Sequence, residues 1–242
     1  MALYREQGIV LRTYKLGEAD RIVCLLTQGR GKVRAVAKGV RRPTSRLGGR
    51  LEPFSHVDLQ LYEGRNLDIV TQVELITPHA AVRADFALSA CGSAMAEATD
   101  RVAQEGERSN PLFLLLIDGL RALSRPAADP AAMLDAWLLR LAGVAGYHPY
   151  LDACAGCGLP GAHSVFHIAA GGLLCPACAP AGARGMDPAA VALLRRLART
   201  DLVDVCLAPH ETPVRRTAAA LVNSFVTYHL GKPLKSWDLV PR

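Results

Sequence analysis

Four cysteines constrain this chain more tightly than any other feature: Cys154-Ala-Gly-Cys157, seventeen residues, then Cys175-Pro-Ala-Cys178. A two-residue spacer lets one tight turn aim two sulfurs at a common point, and two such knuckles complete a tetrahedron. Gly158 after the first knuckle and Pro176 inside the second are turn residues. With all four corners filled by protein, no position stays open for water. The pattern therefore predicts one structural Zn2+ held by Cys154, Cys157, Cys175 and Cys178. The alternatives are two unrelated thiol pairs or a redox disulfide. Seven cysteines is an odd number, and no secretory signal precedes them, which argues against a disulfide scaffold. Cys24, Cys91 and Cys206 sit in apolar runs and read as small core residues.

Charge is distributed unevenly along the 242 residues. Residues 1–54 carry twelve Lys/Arg against four Asp/Glu, residues 55–150 seven against twelve, and residues 151–242 nine against six. A basic first part joined to an acidic middle is the footprint of a polyanion-binding protein. The longest apolar run, Leu112 to Ile117, is far short of a membrane span, so a cytoplasmic setting is expected. The last residues, Leu239-Val-Pro-Arg242, read as a possible protease-site remnant, residues 239–242.

The fold class expected is α+β and multidomain. Five short strands are predicted at Tyr4–Thr13, Arg21–Thr27, Lys32–Lys38, Ser55–Tyr62 and Leu67–Leu75. Five strands in so short a stretch suggest a five-stranded OB-fold barrel over residues 1–78. The third strand puts Val33, Ala35 and Ala37 on one face, and Lys32, Arg34 and Lys38 on the other with Val36. From Arg30 to Arg50 the chain holds eight cations and no acid: Arg30, Lys32, Arg34, Lys38, Arg41, Arg42, Arg46 and Arg50. Gly39, Pro43, Gly48 and Gly49 predict a mobile loop suited to a phosphate backbone. Aromatic partners for stacked bases are few nearby: Tyr4, Tyr14, Phe54 and Tyr62. The expected contact is DNA read by charge rather than by sequence.

Beyond Pro78 the period becomes helical. A capping residue before proline marks four starts, Asn110-Pro111, Asp129-Pro130, Asp187-Pro188 and Thr212-Pro213. The predicted bodies are Leu112–Leu123, Ala131–Leu141, Ala189–Arg199 and Val214–His229. A further helix is expected over Ala80–Ala103, with Val82, Phe86, Leu88 and Met95 as its apolar stripe. These helices form a bundle over 79–150 and 184–238, with the four-cysteine zinc module inserted at 151–183. His163 and His167 lie between the knuckles and read as surface residues, since four thiolates leave no vacancy.

No enzyme is expected. The chain lacks G-x-x-x-x-G-K-[ST], G-x-S-x-G and H-E-x-x-H, and Asp201 with Asp204 reads as a solvated pair. An RNA-binding or ribosome-associated zinc protein would share the barrel and the basic loop. A zinc nuclease would need an open metal position.

Several stretches, in order, resemble the RecO family of bacterial recombination mediators. They are Gly8-Ile-Val-Leu-Arg12, Gly17-Glu-Ala-Asp-Arg-Ile-Val23, Ala37-Lys-Gly-Val-Arg-Arg42, Ser45-Arg46 and Leu51-Glu-Pro-Phe54, then Gly146-Tyr-His-Pro149, Gly171-Gly172, Tyr228-His-Leu-Gly231 and Leu234-Lys-Ser236. The resemblance implies an N-terminal OB-fold, a helical domain and a zinc module. It implies DNA repair and recombination: binding of single- and double-stranded DNA and annealing of complementary strands. It also implies partnership with RecR, with single-strand-binding protein and with RecA, in the cytoplasm and associated with the nucleoid.

Overall fold

A computed structural model describes residues 2–45, 47–125, 129–207 and 212–242, with the side chains of Cys206 and Leu207 outside the described set. The chain divides into two compact units, Met1–Ser124 and Arg125–Arg242. The first three helices thus group with the barrel, whereas the expected partition placed them with the bundle.

The first unit is built on β1 (Leu3–Leu16), β2 (Asp20–Thr27), β3 (Gly31–Ala37), β4 (His56–Tyr62) and β5 (Asp68–Thr77). They close a barrel in the order β1-β2-β3-β5-β4, with β1 returning to β4. The pairs are antiparallel except β3 with β5, which run parallel over Ala35–Asp68 and Val36–Ile69. This is the OB-like barrel expected from the sequence. Strand β1 serves both neighbours because it bends: its register slips between Val10 and Arg12, leaving Leu11 as the bulge. Val10, Val23, Leu25, Val33, Ala35, Leu59 and Leu61 alternate inward and fill the interior.

Part of the outer face of β1 and β2 is also dry. Cys24 and Leu26, alternating with inward Val23 and Leu25, are fully buried, and the second helix packs against β1. That region holds two helices, α1 (Ala80–Ala84) and α2 (Phe86–Val102), rather than one. Asp85 breaks the run: its backbone is extended, and its carboxylate caps α2 by accepting from Leu88 N. The break also changes the buried face. Val82 and Met95 are buried as expected, but Phe86 is exposed. Small residues such as Ala90, Cys91 and Ala94 carry the contact instead. Close approach explains their size: a Cβ on Gly92 would lie 3.2 Å from the Phe54 ring. Helix α3 (Asn110–Leu123) completes the unit, capped by Ser109, one residue before the predicted Asn110.

The second unit surrounds α4 (Pro130–Val144), which is apolar on every side and nearly wholly buried around Trp137. Helices α5 (Pro188–Arg199), α6 (Leu202–Leu207) and α7 (Thr212–Leu230) pack on it. Asp129 and Asp187 cap α4 and α5 as predicted. Between α4 and α5 lies a small hairpin of β6 (Val165–His167) and β7 (Gly172–Leu174). The side chain of Asp201 accepts from Val203 N at the start of α6, and Asp201 and Asp204 are both exposed.

One carboxylate interrupts the apolar helix. Asp135 is fully buried and receives Arg215 Nη1 at 2.6 Å and Arg242 Nη2 at 3.0 Å. Arg215 also holds Asp129 at 3.0 Å, and Arg242 stacks on Trp237. Val240 is buried as well. No helix among the described residues is long and apolar enough to cross a membrane.

Breaking a buried pair on one side leaves an uncompensated charge, at a typical cost of about 3–5 kcal/mol. Arg215→Met should therefore destabilise the protein by about that much in denaturant melts. Arg242→Ala should cost less, because Asp135 keeps Arg215. A loss under about 1 kcal/mol for Arg215→Met, the value of an exposed pair, would show that Asp135 finds other compensation.

Candidate nucleic-acid interface and metal centre

Alternation along β3 decides where the basic run faces. Val33, Ala35 and Ala37 point into the barrel, so Arg34 and Lys38 are exposed and Lys32 is half-buried. The outward cations then differ in what they meet. Arg30 lies over the Tyr4 ring at 3.9 Å and reaches Glu63 at 3.9 Å. Burial and the neighbouring Asp68 carboxylate, to which Tyr4 donates, hold that phenol well above its usual pKa. Lys32 donates to Asp100 O at 2.8 Å and lies 3.7 Å from its carboxylate. Arg34 pairs with Glu105 at 2.7 Å, and Arg50 donates to Val73 O.

Lys38, Arg41 and Arg42 are exposed, and none lies within ion-pair distance of a carboxylate among the described residues. Arg41 Nη1 donates to a carbonyl, Glu18 O, at 2.9 Å. The structure corrects one expectation about their loop. It is a set of pinned turns, not an open chain: Gly39 N donates to Asp20 Oδ1, Arg41 N to Ala19 O, and Arg42 N to Gly39 O. Val40 and Leu51 are buried in the barrel core and anchor both ends. Arg46 lies outside the described residues.

The sequence run also missed a neighbour. Lys15, exposed on β1, pairs in register with Arg21, whose other neighbour is Ala37. Lys15 therefore joins the end of the barrel that carries Lys38. The hairpin turn at Gly17 was the signal that could have found it.

The four knuckle cysteines converge. Their Sγ atoms all lie within 4.8 Å of one another, and Cys157 and Cys175 are 3.8 Å apart. Tetrahedral thiolates bonded at 2.3 Å place sulfurs about 3.8 Å apart, so this donor set fits a single metal ion. Local geometry accounts for the convergence. Gly158 takes φ 75, and its N–H donates to Cys154 O, while Cys178 N and Ala179 N both bond Cys175 O. Gly156 leaves room for the second knuckle, since a Cβ there would meet Cys178 Sγ at 3.2 Å. Ala155 N bonds Leu173 O, joining the first knuckle to β7.

The thiols already feel each other. Backbone N–H donation, first from Cys175, pushes the Cys154 thiol down to about 6. Hydrogen bonding by the thiols of Cys175, Cys157 and Cys154 pushes Cys178 up to about 12. A bound cation removes that conflict by stabilising all four as thiolates. His163 and His167 stand outside the sulfur set. Both are half-buried rather than free on the surface. His163 Nε2 bonds Leu159 O, and His167 Nδ1 accepts from Ala170 N, so each holds a turn. Asp152 ties the module to α5 through Arg195 and Arg199. Of the remaining cysteines, Cys24 and Cys91 are buried as expected, while the side chain of Cys206 is outside the described set.

Metal binding to such sites in small domains is worth on the order of 10–16 kcal/mol, as large as the stability of a whole domain. Elemental analysis should thus find one metal ion per chain. Cys175→Ser should yield metal-free or insoluble protein, and a folded, metal-loaded Cys175→Ser variant would contradict the four-thiolate site.

Comparison with known proteins covers nearly the whole chain. Residues 1–79 match the family model for the recombination protein O N terminal region, and residues 83–238 the model for its C terminal region. The chain is 47% identical over 244 residues to the DNA repair protein RecO of Thermobifida fusca, covering 100% of both chains. It is 49% identical to the DNA repair protein RecO of a Nocardioides species over 99% of this chain and 100% of that one. The Streptomyces griseus DNA repair protein RecO is 45% identical over 100% of both. On these grounds the chain belongs to the RecO family of DNA repair proteins.

Proposed function

We propose that this chain binds single- and double-stranded DNA through the barrel end that carries Lys38, Arg41 and Arg42, and anneals complementary strands without ATP. The observation that carries this reading is the absence of carboxylate partners for those three exposed cations among the described residues. Arg30, Lys32, Arg34 and Arg50 are spoken for by neighbours, so they contribute less in the resting protein. Two phosphate backbones repel, and a fixed cationic edge screens them while leaving base edges free to pair. Stacking would sequester the bases instead, and Tyr4 already lies beneath Arg30. The metal is Zn2+, matched to four thiolates, and its part is structural. Membership of the RecO family supports the wider role. With RecR, the protein helps load RecA onto DNA coated by single-strand-binding protein, in the cytoplasm at the nucleoid, without catalysing a reaction of its own.

Binding to labelled oligonucleotides across a salt series tests the interface. Each phosphate neutralised on single strands contributes about 0.7 to the slope of log affinity against log salt. Replacing Lys38, Arg41 and Arg42 together by Ala should flatten that slope by about 2 and weaken all sequences alike. An unchanged slope would place the DNA surface elsewhere, and RNA competing as well as DNA of equal length would favour an RNA-binding role.

Annealing of complementary strands should proceed without nucleotide, weaken as salt rises, and fail in the same triple variant while its metal stays bound. A requirement for ATP, or annealing that survives loss of these charges, would overturn the mechanism.

A further inference from the structure

The connection between α2 and α3, residues 103–109, lies against the start of β3 as an acidic strap. Lys32 N donates to Gln104 O at 3.0 Å, and Gly106 N to Arg30 O at 3.2 Å. The seat is close-fitting. Gly31 has φ 65, and a Cβ there would come 2.1 Å from Glu107 O and 2.6 Å from Gln104 O. From this strap Glu105 reaches Arg34 Nε at 2.7 Å. Behind it, Asp100 in α2 pairs with Arg12 at 2.8 Å and Lys32 at 3.7 Å. Glu105 and Gly106 also wall a cavity of about 320 Å³, shared with Tyr4, Arg30, Lys32 and Arg34.

We propose that the strap gates a phosphate subsite: the Glu105 carboxylate holds the place on Arg34 that a single-stranded DNA phosphate takes when the strap yields. The inference rests on the DNA-binding reading above and adds a regulated second row of contacts to it. Carboxylate and phosphate oxygens present the same acceptors to a guanidinium, so one can stand in for the other. Exposure decides which pair yields. The Arg34 and Glu105 side chains are 48% and 55% exposed, and pairs of that kind contribute little and are screened by salt. Asp100 is only 12% exposed and sits on a helix, so Lys32 and Arg12 stay neutralised. Arg34 is the cation that the strap can release into the cavity.

The test is anisotropy of a labelled oligo-dT strand titrated with full-length protein over a salt series. Glu105→Gln should tighten binding about two- to fivefold, the size of one exposed ion pair in an equilibrium constant. It should steepen the salt slope by about 0.7. Adding Arg34→Gln to Glu105→Gln should abolish that gain. Glu107→Gln makes the same charge change on the strap and should leave binding as in wild type, since Glu107 has no ion pair among the described residues. Unchanged binding by Glu105→Gln, an equal gain from Glu107→Gln, or a gain that survives loss of Arg34 would each overturn the gate. The variant lacking Lys38, Arg41 and Arg42 separates the two ideas. If it binds like wild type while Glu105→Gln still tightens binding through Arg34, the gate stands and the primary surface is reassigned.

Discussion

Inward alternation along β3 is the constraint on which the cationic surface depends. Three apolar side chains, Val33, Ala35 and Ala37, are committed to the barrel interior, and the pleat then forces Lys32, Arg34 and Lys38 outward. A slip of one residue would bury three charges and expose the core, so the register cannot drift. The same logic extends past the strand. Val40 and Leu51 return to the core and pin the turns between them, so Arg41 and Arg42 project from fixed backbone. Fixing these cations before any ligand arrives lowers the ordering cost of a contact.

In the second unit the buried carboxylate has its partners arranged around it. Asp135 sits in a helix that is nearly wholly buried, and two arginines from distant segments meet it there. The pair is weak evidence for added stability, since desolvating charges is expensive. Its consequence is specificity of assembly, because α4, the start of α7 and the final residues must all be in place to satisfy one carboxylate. The metal knuckles are a parallel case in sulfur. Hairpin β6–β7 and two tight turns supply the geometry, and four thiols gather where little apolar material is available to hold them.

Sign of charge separates the two ends of the barrel's third strand. Near its start, α2 and the strap bring Asp100 and Glu105 against Lys32 and Arg34. Near its end, Lys38, Arg41 and Arg42 have no carboxylate within ion-pair distance among the described residues. The seven described cations of the run thus divide into a short open patch and a longer guarded one. Ion pairing within the first unit, rather than the number of cations, sets the difference.

The sequence by itself determined what depends on local periodicity and spacing. The five strands, the inward set of β3, the caps at Asp129 and Asp187, and the two cysteine knuckles were all legible, because each is written in residues a few positions apart, and the knuckle chemistry implied that Cys154, Cys157, Cys175 and Cys178 converge. The break at Asp85 was missed because the apolar stripe was extended through it, and the stripe's period carries no record of a cap that interrupts it. Only the tertiary structure decided which cations are free. Glu105 stands 71 residues from Arg34, and Arg242 stands 107 from Asp135. Ion pairs over such separations arise from how strands and helices pack, and no periodicity in the chain encodes them. The physical reason is range: helical periodicity, strand alternation and capping act between near neighbours along the chain, whereas charge pairing acts between whatever folding brings together.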